Sequence, residues 1–347
     1  MGAAFAQRAT DDKATALPAR MCSTSMVLRA MQPRVTDLQE IGAVWRGETV
    51  RATRSGRVVV LLLLFMMFVG LALSVVGFFN RQINAKVEEQ AKTAGIDLND
   101  AKAKEQFNEG KKQFLSVFIS DDEEMLESLL TLPVVLLVVF KLTLRFVPLF
   151  VALMGFDQLA GEMGPKSIRF LVVRLKRNNL ILGKFASQVT IFTALMFVCT
   201  LLMVLVARLL NADFAAKDIA IWTLRLLVSS FVLALAYLAL TTLCSAIVKN
   251  GAVSLVLNIM VLFGIWFVAL IGEWYRLPGE VAAESTLTSL IKDESVMAYS
   301  RYFSVWHFGQ DLLHPDWVRF LTAALMHVGY ALVFLGLAQL ALKKRDL

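Results

Sequence analysis

The stretch VVVLLLLFMMFVGLALSVVGFF, residues 58–79, decides the fold class of this chain, because it holds no charged residue in 22 positions. About 20 apolar residues suffice for a helix to cross a bilayer, where the backbone finds no hydrogen-bond partner outside its own helix. The composition of the whole chain supports a membrane protein, since 57% of its 347 residues are hydrophobic and 18% are charged. About a quarter of the residues are charged in ordinary soluble domains. We therefore predict an all-α integral membrane protein.

Five further stretches have the length and composition of membrane-spanning helices. The second span is interrupted by two prolines and by the cations Lys141 and Arg145. Together the predicted spans make residues 58–347 one six-span domain. They cover about residues 58–79, 126–154, 185–206, 219–248, 252–271 and 318–342.

Three polar regions lie outside these spans. Residues 1–34 are rich in Ala, Arg, Ser and Thr without periodicity, which predicts a disordered extension. Residues 35–57 place Leu38, Ile41, Val44 and Trp45 at helical spacing, followed by four arginines, which is typical of an amphipathic interfacial helix. Residues 80–125 form a charged helical stretch that reads as a solvated hairpin, and their role stays open.

The distribution of Lys and Arg predicts the orientation. An even number of spans places both termini on one side of the membrane. That side carries 19 Lys and Arg residues, including those of the loop 155–184, and the opposite side carries 13. Because basic loops stay in the cytoplasm, we expect both termini there. The net charge of +7 is spread between spans instead of forming one basic surface, so it does not predict a nucleic-acid partner.

The loop 155–184 holds the most specific motifs, and a nucleotide site is the first hypothesis to test. A phosphate-binding loop needs the pattern G-x-x-x-x-G-K-[ST] after a strand. The stretch GEMGPKS, residues 161–167, has Pro165 where that glycine should stand, and it follows a predicted membrane helix. We therefore expect no nucleotide or other cofactor to be bound by this chain itself.

Several ordered motifs in and beyond this loop point to one family. They are FDQLAGE (156–162), KSIRFL (166–171), LGKF (182–185), LCSAIVKNGAVSLVLN (243–258) and KKRDL (343–347). This pattern resembles the type-2 permease family, the transmembrane subunits, of ABC transporters, over about residues 40–347. The first 34 residues have no counterpart in that family, and Lys141 and Arg145 are not part of its pattern.

The resemblance implies a function and a set of partners. It implies a six-span permease half in the plasma (inner) membrane that pairs with a second half, as a homodimer or heterodimer, and exports a substrate. ATP and Mg would be bound by separate ABC-type ATPase subunits, so the chain itself would be no enzyme. The resemblance does not specify the substrate.

The loop also contains a segment suited to docking in a partner's groove. Apolar Ile168 and Phe170 alternate with cationic Lys166 and Arg169 directly after a predicted membrane helix. We predict a cytoplasmic coupling helix whose contacts with the ATPase involve Asp157, Gly161, Glu162, Lys166, Ile168, Arg169 and Phe170. For Asp157 and Glu162 the alternative is structural, namely helix termination and pairing with Lys166 or Arg169.

Lys141 and Arg145 are four residues apart, on one face of the predicted second span. A cation inside a membrane is costly, so it faces a cavity, a partner or the headgroups. One hypothesis is a cationic transport pathway or dimer seam that meets an anionic lipid or substrate. The alternative is that both side chains reach the headgroups or pair with an acid.

A second function class rests on His307, Asp311 and His314, at positions i, i+4 and i+7. On one helix face these side chains could bind zinc, which would make the protein a membrane-embedded, metal-dependent hydrolase or transferase. The signal is weak because Gly309 falls inside the required helix and Pro315 ends it. The same segment also reads as an outer aromatic rim with Trp306 and Trp317 at the membrane interface.

Overall fold

The computed structural model describes residues 36–56, 58–71, 74, 134–163, 175–210, 216–274, 304–309 and 311–344. These residues contain no strand, and the predicted all-α membrane fold is confirmed. The helices are α1 (Asp37–Arg54), α2 (Val58–Leu71), α3 (Val134–Gly155), α4 (Ala160–Met163), α5 (Arg177–Leu210), α6 (Ala216–Ile247), α7 (Gly251–Trp274) and α8 (Trp317–Lys343). Two 3₁₀ turns, His307–Gly309 and Asp311–Leu313, precede α8.

Five described stretches are long and apolar enough to cross a membrane. They are Lys141–Met163 in α3 and α4, Arg177–Leu202 in α5, Ala220–Ile247 in α6, Gly251–Ile271 in α7 and Trp317–Lys343 in α8. If α1 and α2, which meet at a bend, are counted together as one span, the number rises to six. Helix α5 begins at Arg177, earlier than the apolar window at 185. The predicted extension 1–34 and the hairpin 80–125 lie outside the described residues.

Helix α1 is set at 63° to α2. At the break, Gly56 has a φ of +70°, a left-handed conformation that glycine adopts without a steric cost. The acids Asp37 and Glu40 lie in the first turn of α1, and its last turn contains Arg51 and Arg54, as the helix dipole favours.

Helix α6 lies at the centre of the bundle and contacts α3, α5, α7 and α8. Buried residues make up 67% of its most apolar window, against 17% in α7. The central helix therefore packs against protein, while α7 exposes most of its apolar surface.

The bundle has two chemically different ends. The proximal end holds α1, α4, the turn 248–250 and the last residues of α8. There, Arg177 Nη1 donates to the carbonyl oxygens of Leu342 at 3.0 Å and Lys343 at 3.2 Å, which caps the end of α8. The distal end holds the segment 304–313 and the first turn of α8.

The segment 304–313 is inserted into the bundle at the distal end. Ser304 Oγ donates to the carbonyl of Ile265 at 2.9 Å, and Ser229 Oγ donates to the carbonyl of Leu312 at 2.7 Å. Phe308 and Leu312 are buried. Trp306 in this segment is half-buried, and Trp317, the other tryptophan of the predicted aromatic rim, is exposed on the first turn of α8.

Candidate functional site

A buried group of four charged side chains joins α4 to its neighbours at the proximal end. Glu162 Oε1 accepts hydrogen bonds from Arg51 Nη1 and from Lys184 Nζ, both at 2.9 Å. Lys184 Nζ also donates to Glu48 Oε1 at 2.7 Å. We call Glu48, Arg51, Glu162 and Lys184 the proximal network. Its members come from α1, α4 and α5.

Burial makes this network energetically important. The side chains of Lys184 and Glu162 are 1% and 8% exposed, whereas Arg51 is 67% exposed. Breaking a buried ion pair costs about 3–5 kcal/mol, because the remaining charge is left in an apolar environment without compensation. The network therefore holds α4 firmly against α1 and α5.

A glycine permits the close contact between α1 and α5 beside the network. A Cβ on Gly183 would lie 2.6 Å from Val44 Cβ and 2.9 Å from the Ile41 carbonyl oxygen. Trp45 Nε1 donates to Thr190 Oγ1 at 2.9 Å further along the same contact. Helix α1 thus packs along α5, and its other side is exposed.

The start of α1 is joined to the start of α5 by polar groups, of which Asp37 and Lys176 are exposed and Asn179 is buried. Lys176 Nζ and Asn179 Nδ2 donate to Asp37 Oδ1 at 2.6 and 3.0 Å, and Asn179 Nδ2 also donates to Glu40 Oε2 at 2.7 Å. The hydrogen bonds from Lys176 and then Asn179 hold the pKa of Asp37 below its ordinary value. The hydrogen bond to Asp37 and its negative charge raise the pKa of Lys176.

A hydroxyl group fixes the segment before α4 to α6. Ser245 Oγ accepts from the backbone nitrogens of Leu159 at 2.8 Å and Ala160 at 2.9 Å, in a buried setting. Asp157 lies against the start of α7, where a Cβ on Gly251 would be 3.2 Å from Asp157 Cβ. The sequence stretches 156–162 and 243–258, far apart along the chain, therefore meet at the proximal end.

A cavity of about 330 Å³ adjoins the network. All four network residues line it. Acidic and basic side chains thus line the same cavity, beside the proximal ends of α3 and α5. The charged and polar side chains of this lining position α1, α4 and α5 relative to one another.

The structure describes only some of the predicted coupling residues. Asp157, Gly161 and Glu162 are placed as above, while Lys166, Ile168, Arg169 and Phe170 lie outside the described residues. The partners that the structure places on Glu162 are Arg51 and Lys184, which the alternative of local pairing did not include.

Sequence reasoning missed the other three members of the network. Arg51 was expected at the headgroups, and Glu48 and Lys184 were not singled out. A signal was available, because Glu48 follows Ile41 and Val44 at helical spacing and thus places a carboxylate on the apolar face of α1. A charge in that position predicts a buried partner.

A second charged region lies between α3, α6 and the inserted segment. Arg145 stacks on Trp306, with 4.3 Å between the guanidinium carbon and the ring centroid. The pocket there has a volume of about 40 Å³, and we call it the distal pocket. Its polar and aromatic members are Lys141, Arg145, Tyr237 and Trp306, and its apolar walls include Leu144, Pro148, Leu233 and Leu313.

The helix that the zinc hypothesis requires does not form. His307 and Asp311 lie in two separate 3₁₀ turns, which changes the spacing that would align them with His314. The His314 ring nitrogens lie 3.1 Å from the Asp316 backbone nitrogen and 3.1 Å from Arg319 Nη1. Nowhere in the described ranges do three His, Cys, Asp or Glu side chains come together as metal ligands. The predicted helical alignment is therefore wrong.

A comparison with protein families decides the class. A family model described as "ABC-2 family transporter protein" matches residues 43–347, which include the proximal network and the distal pocket. The chain belongs to the ABC-2 transporter family. The predicted resemblance is confirmed, and membership implies a transport subunit instead of an enzyme. A search of curated proteins finds no match.

Proposed function

We propose that this ABC-2 family protein is the permease subunit of an ATP-driven exporter. A separate ABC-type ATPase subunit binds ATP and Mg, and a second permease half, either the same or a different chain, completes the pathway. The protein lies in the plasma membrane with its proximal end and both termini in the cytoplasm. The bias of Lys and Arg toward that side supports this orientation.

The proximal network is the observation that carries the proposal. Helix α4 leads directly into residues 164–174, which contain the coupling residues Lys166, Ile168, Arg169 and Phe170. The network ties α4 to α1 and α5, and Ser245 ties the segment before it to α6. A displacement of this segment is therefore transmitted to the spans α5 and α6 and to the N-terminal helix α1 through short polar contacts.

Buried polar contacts suit this task because packed interfaces shift between discrete arrangements and do not deform continuously. Nucleotide binding closes the ATPase subunits, and the coupling segment follows their movement. Helices α3, α5 and α6 then change their relative positions, and the pathway opens on the other side. The energy of ATP hydrolysis enters only through this contact, so this chain performs no covalent step.

The test begins with purification of the tagged protein from its own membranes in mild detergent. We expect an ABC-type ATPase to accompany it and to hydrolyse ATP in a vanadate-sensitive manner. Deletion of residues 166–170 should abolish the association while the thermal unfolding of the bundle stays near that of the wild type.

The matched control is Arg54→Gln, which removes an exposed charge from the last turn of α1 and should leave the association intact. Isolation of the protein without any ATPase in several detergents would contradict the proposal. Accessibility of single cysteines placed near each terminus, measured in intact cells, tests the orientation independently.

A further inference from the structure

We propose that the cavity beside the proximal network is a phospholipid site, and that it selects a head group with both a phosphate and a primary ammonium, as in phosphatidylethanolamine. Its volume of about 330 Å³ lies in the range of about 300–1,000 Å³ that ligand sites have. Residues of α1, α2, α3, α4 and α5 line it, and α1 and α2 meet there at 63°. Lipid binding does not require ATP-driven transport, so this proposal does not rest on the proposed function.

The lining of the cavity changes from polar to apolar toward the middle of the bundle. Helix α5 runs away from the proximal end, and along it Gln188 comes before Ile191. Helix α3 runs toward that end, and Met154 comes before Gln158. The apolar members of the described lining include Val58, Leu61, Met154 and Ile191. A ligand that matches this lining has a polar head and an apolar body.

Gln158, in the turn between α3 and α4, carries a hydrogen-bond donor that no described residue satisfies. The residue is 8% exposed, and its side-chain oxygen accepts from Thr242 Oγ1 at 3.2 Å. Its side-chain nitrogen is buried and makes no hydrogen bond with the described residues. Buried polar groups nearly always have a hydrogen-bond partner, so this nitrogen marks a place for an acceptor. A phosphate oxygen is such an acceptor.

Gln188, on α5, provides the complementary group. Its side-chain oxygen is buried and accepts no hydrogen bond within the described part of the chain. A primary ammonium has three N–H donors, as in the lysine side chain, and one of them can satisfy this oxygen. The trimethylammonium of phosphatidylcholine has no N–H group. The two glutamines therefore favour a head group that both accepts and donates hydrogen bonds.

The proximal network favours a head group without net charge. Its two acids and two bases lie side by side in the lining of the cavity. An anionic head group would lie beside the acids and a cationic one beside the bases, and such contacts between like charges weaken binding. A zwitterionic head group can place each of its charges beside the opposite one.

Water alone does not account for a cavity of this kind. About 10–15 Å³ holds one water molecule, so the space is more than about twenty times larger. Buried waters make about three hydrogen bonds with polar groups, and the apolar side chains of the lining offer none. The bilayer around the apolar stretches of the bundle supplies an amphiphile that fits both parts of the lining.

The experiment uses the purified full-length protein in dodecyl maltoside, without ATP. Dioctanoyl phosphatidylethanolamine is added, and native mass spectrometry measures the fraction of protein that carries it. Phosphatidylcholine and phosphatidylglycerol with the same chains serve as comparisons. We expect phosphatidylethanolamine to bind about tenfold more tightly than either, the factor that follows from one hydrogen bond to a charged group.

Two variants locate the site. Gln188→Met removes the acceptor, so it should weaken binding of phosphatidylethanolamine about threefold to tenfold and leave phosphatidylcholine nearly unchanged. Gln158→Met removes the donor to the phosphate and should weaken both lipids by the same factor. Gln339→Met is the matched control, because this glutamine lies near the proximal end of α8 and outside the described lining. It should change neither affinity by more than about twofold.

Equal affinity for the three lipids would overturn head-group recognition, and tightest binding of phosphatidylglycerol would overturn the selection of a zwitterion. Wild-type affinities in both cavity variants would overturn the location. Thermal unfolding verifies that each variant is folded, and the comparison of lipids on the wild type decides the recognition even if a variant is not. Because neither ATP nor an ATPase is present, a failure of lipid binding and a failure of ATPase association are separate results.

Discussion

The proximal network and the distal pocket both contain charged side chains, but they differ in the number of helices that contribute them. At the proximal end, two acids and two bases from three helices form hydrogen bonds of 2.7–2.9 Å with one another. In the distal pocket, two cations from one helix lie beside a tryptophan and a tyrosine. Charged groups that come from three helices join those helices, whereas Lys141 and Arg145 both come from α3, and Arg145 stacks on an aromatic ring of the inserted segment.

The largest effect on stability is expected from Lys184→Met. It removes the cation that lies between Glu48 and Glu162, and it should lower the free energy of unfolding by about 3–5 kcal/mol. Unfolding in detergent with increasing denaturant measures the loss. In the Lys184→Met background, Glu162→Gln should cost less than in the wild type, since the buried charge has already lost one partner. Simple addition of the two costs would show that the network is no energetic unit.

Gly183→Val tests whether the proximal contact depends on close approach as well as on charge. The added side chain would meet Val44 and the Ile41 carbonyl, and overpacking of this kind should cost about 3 kcal/mol. Gly264→Val is the matched control, because a Cβ there has no atom within 4 Å. Similar melting temperatures for both variants would mean that α1 is not packed on α5 as described.

Ser245→Ala removes the acceptor for two buried backbone N–H groups. We expect a loss of about 2 kcal/mol, the cost of leaving buried donors unsatisfied. Ser230→Ala is the control, because that hydroxyl is also buried but makes no hydrogen bond with the described residues. Both can be compared in one thermal unfolding series, where a larger loss at Ser230 would contradict the role of Ser245.

Arg145→Met sharpens the contrast between the two regions. It removes the cation that stacks on Trp306, and the loss of that cation–π contact is expected to cost about 0.5–1 kcal/mol. The same thermal measurement should rank it well below Lys184→Met. A loss as large as that of Lys184→Met would show that Arg145 stabilises the bundle as strongly as the proximal network does.

The smallest effect is expected at the exposed pair of Asp37 and Lys176. Because the pKa of Asp37 is lowered, its contribution is present above the ordinary carboxyl pKa and is lost as the pH falls through the lowered value. The raised pKa of Lys176 gives a contribution that is lost only as the pH rises through that raised value. Asp37→Asn should therefore match the wild type in strong acid and differ slightly at neutral pH, in melting curves recorded at both.

The membrane fold could be predicted from the sequence because long apolar stretches have few other stable structures. The third span was predicted to begin at residue 185, whereas α5 begins at Arg177, and the difference has a physical reason. Its first turns contain Arg177 and Lys184, which a hydropathy argument excludes from a span, and their partners on α8, α1 and α4 become visible only in three dimensions.

The candidate site was only partly predictable for the same reason. Glu162 was identified by its position in a motif, but its partners Arg51 and Lys184 are 111 and 22 residues away along the chain. The cations of the distal pocket were identified because charge is rare in a span. The burial of Phe308 and Leu312 was not predicted, since nothing in the local sequence indicates that their segment packs against the spans.

The hydrogen bonds from Arg177 to the end of α8 have a consequence for biosynthesis. A ribosome that adds about 5–20 residues per second needs roughly 8–33 s to cover the 165-residue separation between Arg177 and Leu342. For most of that time α5 is already made, while the carbonyl groups that its first arginine binds do not exist. We expect a translating chain to remain with its insertion machinery until α8 emerges, and a stalled chain to be degraded as incomplete.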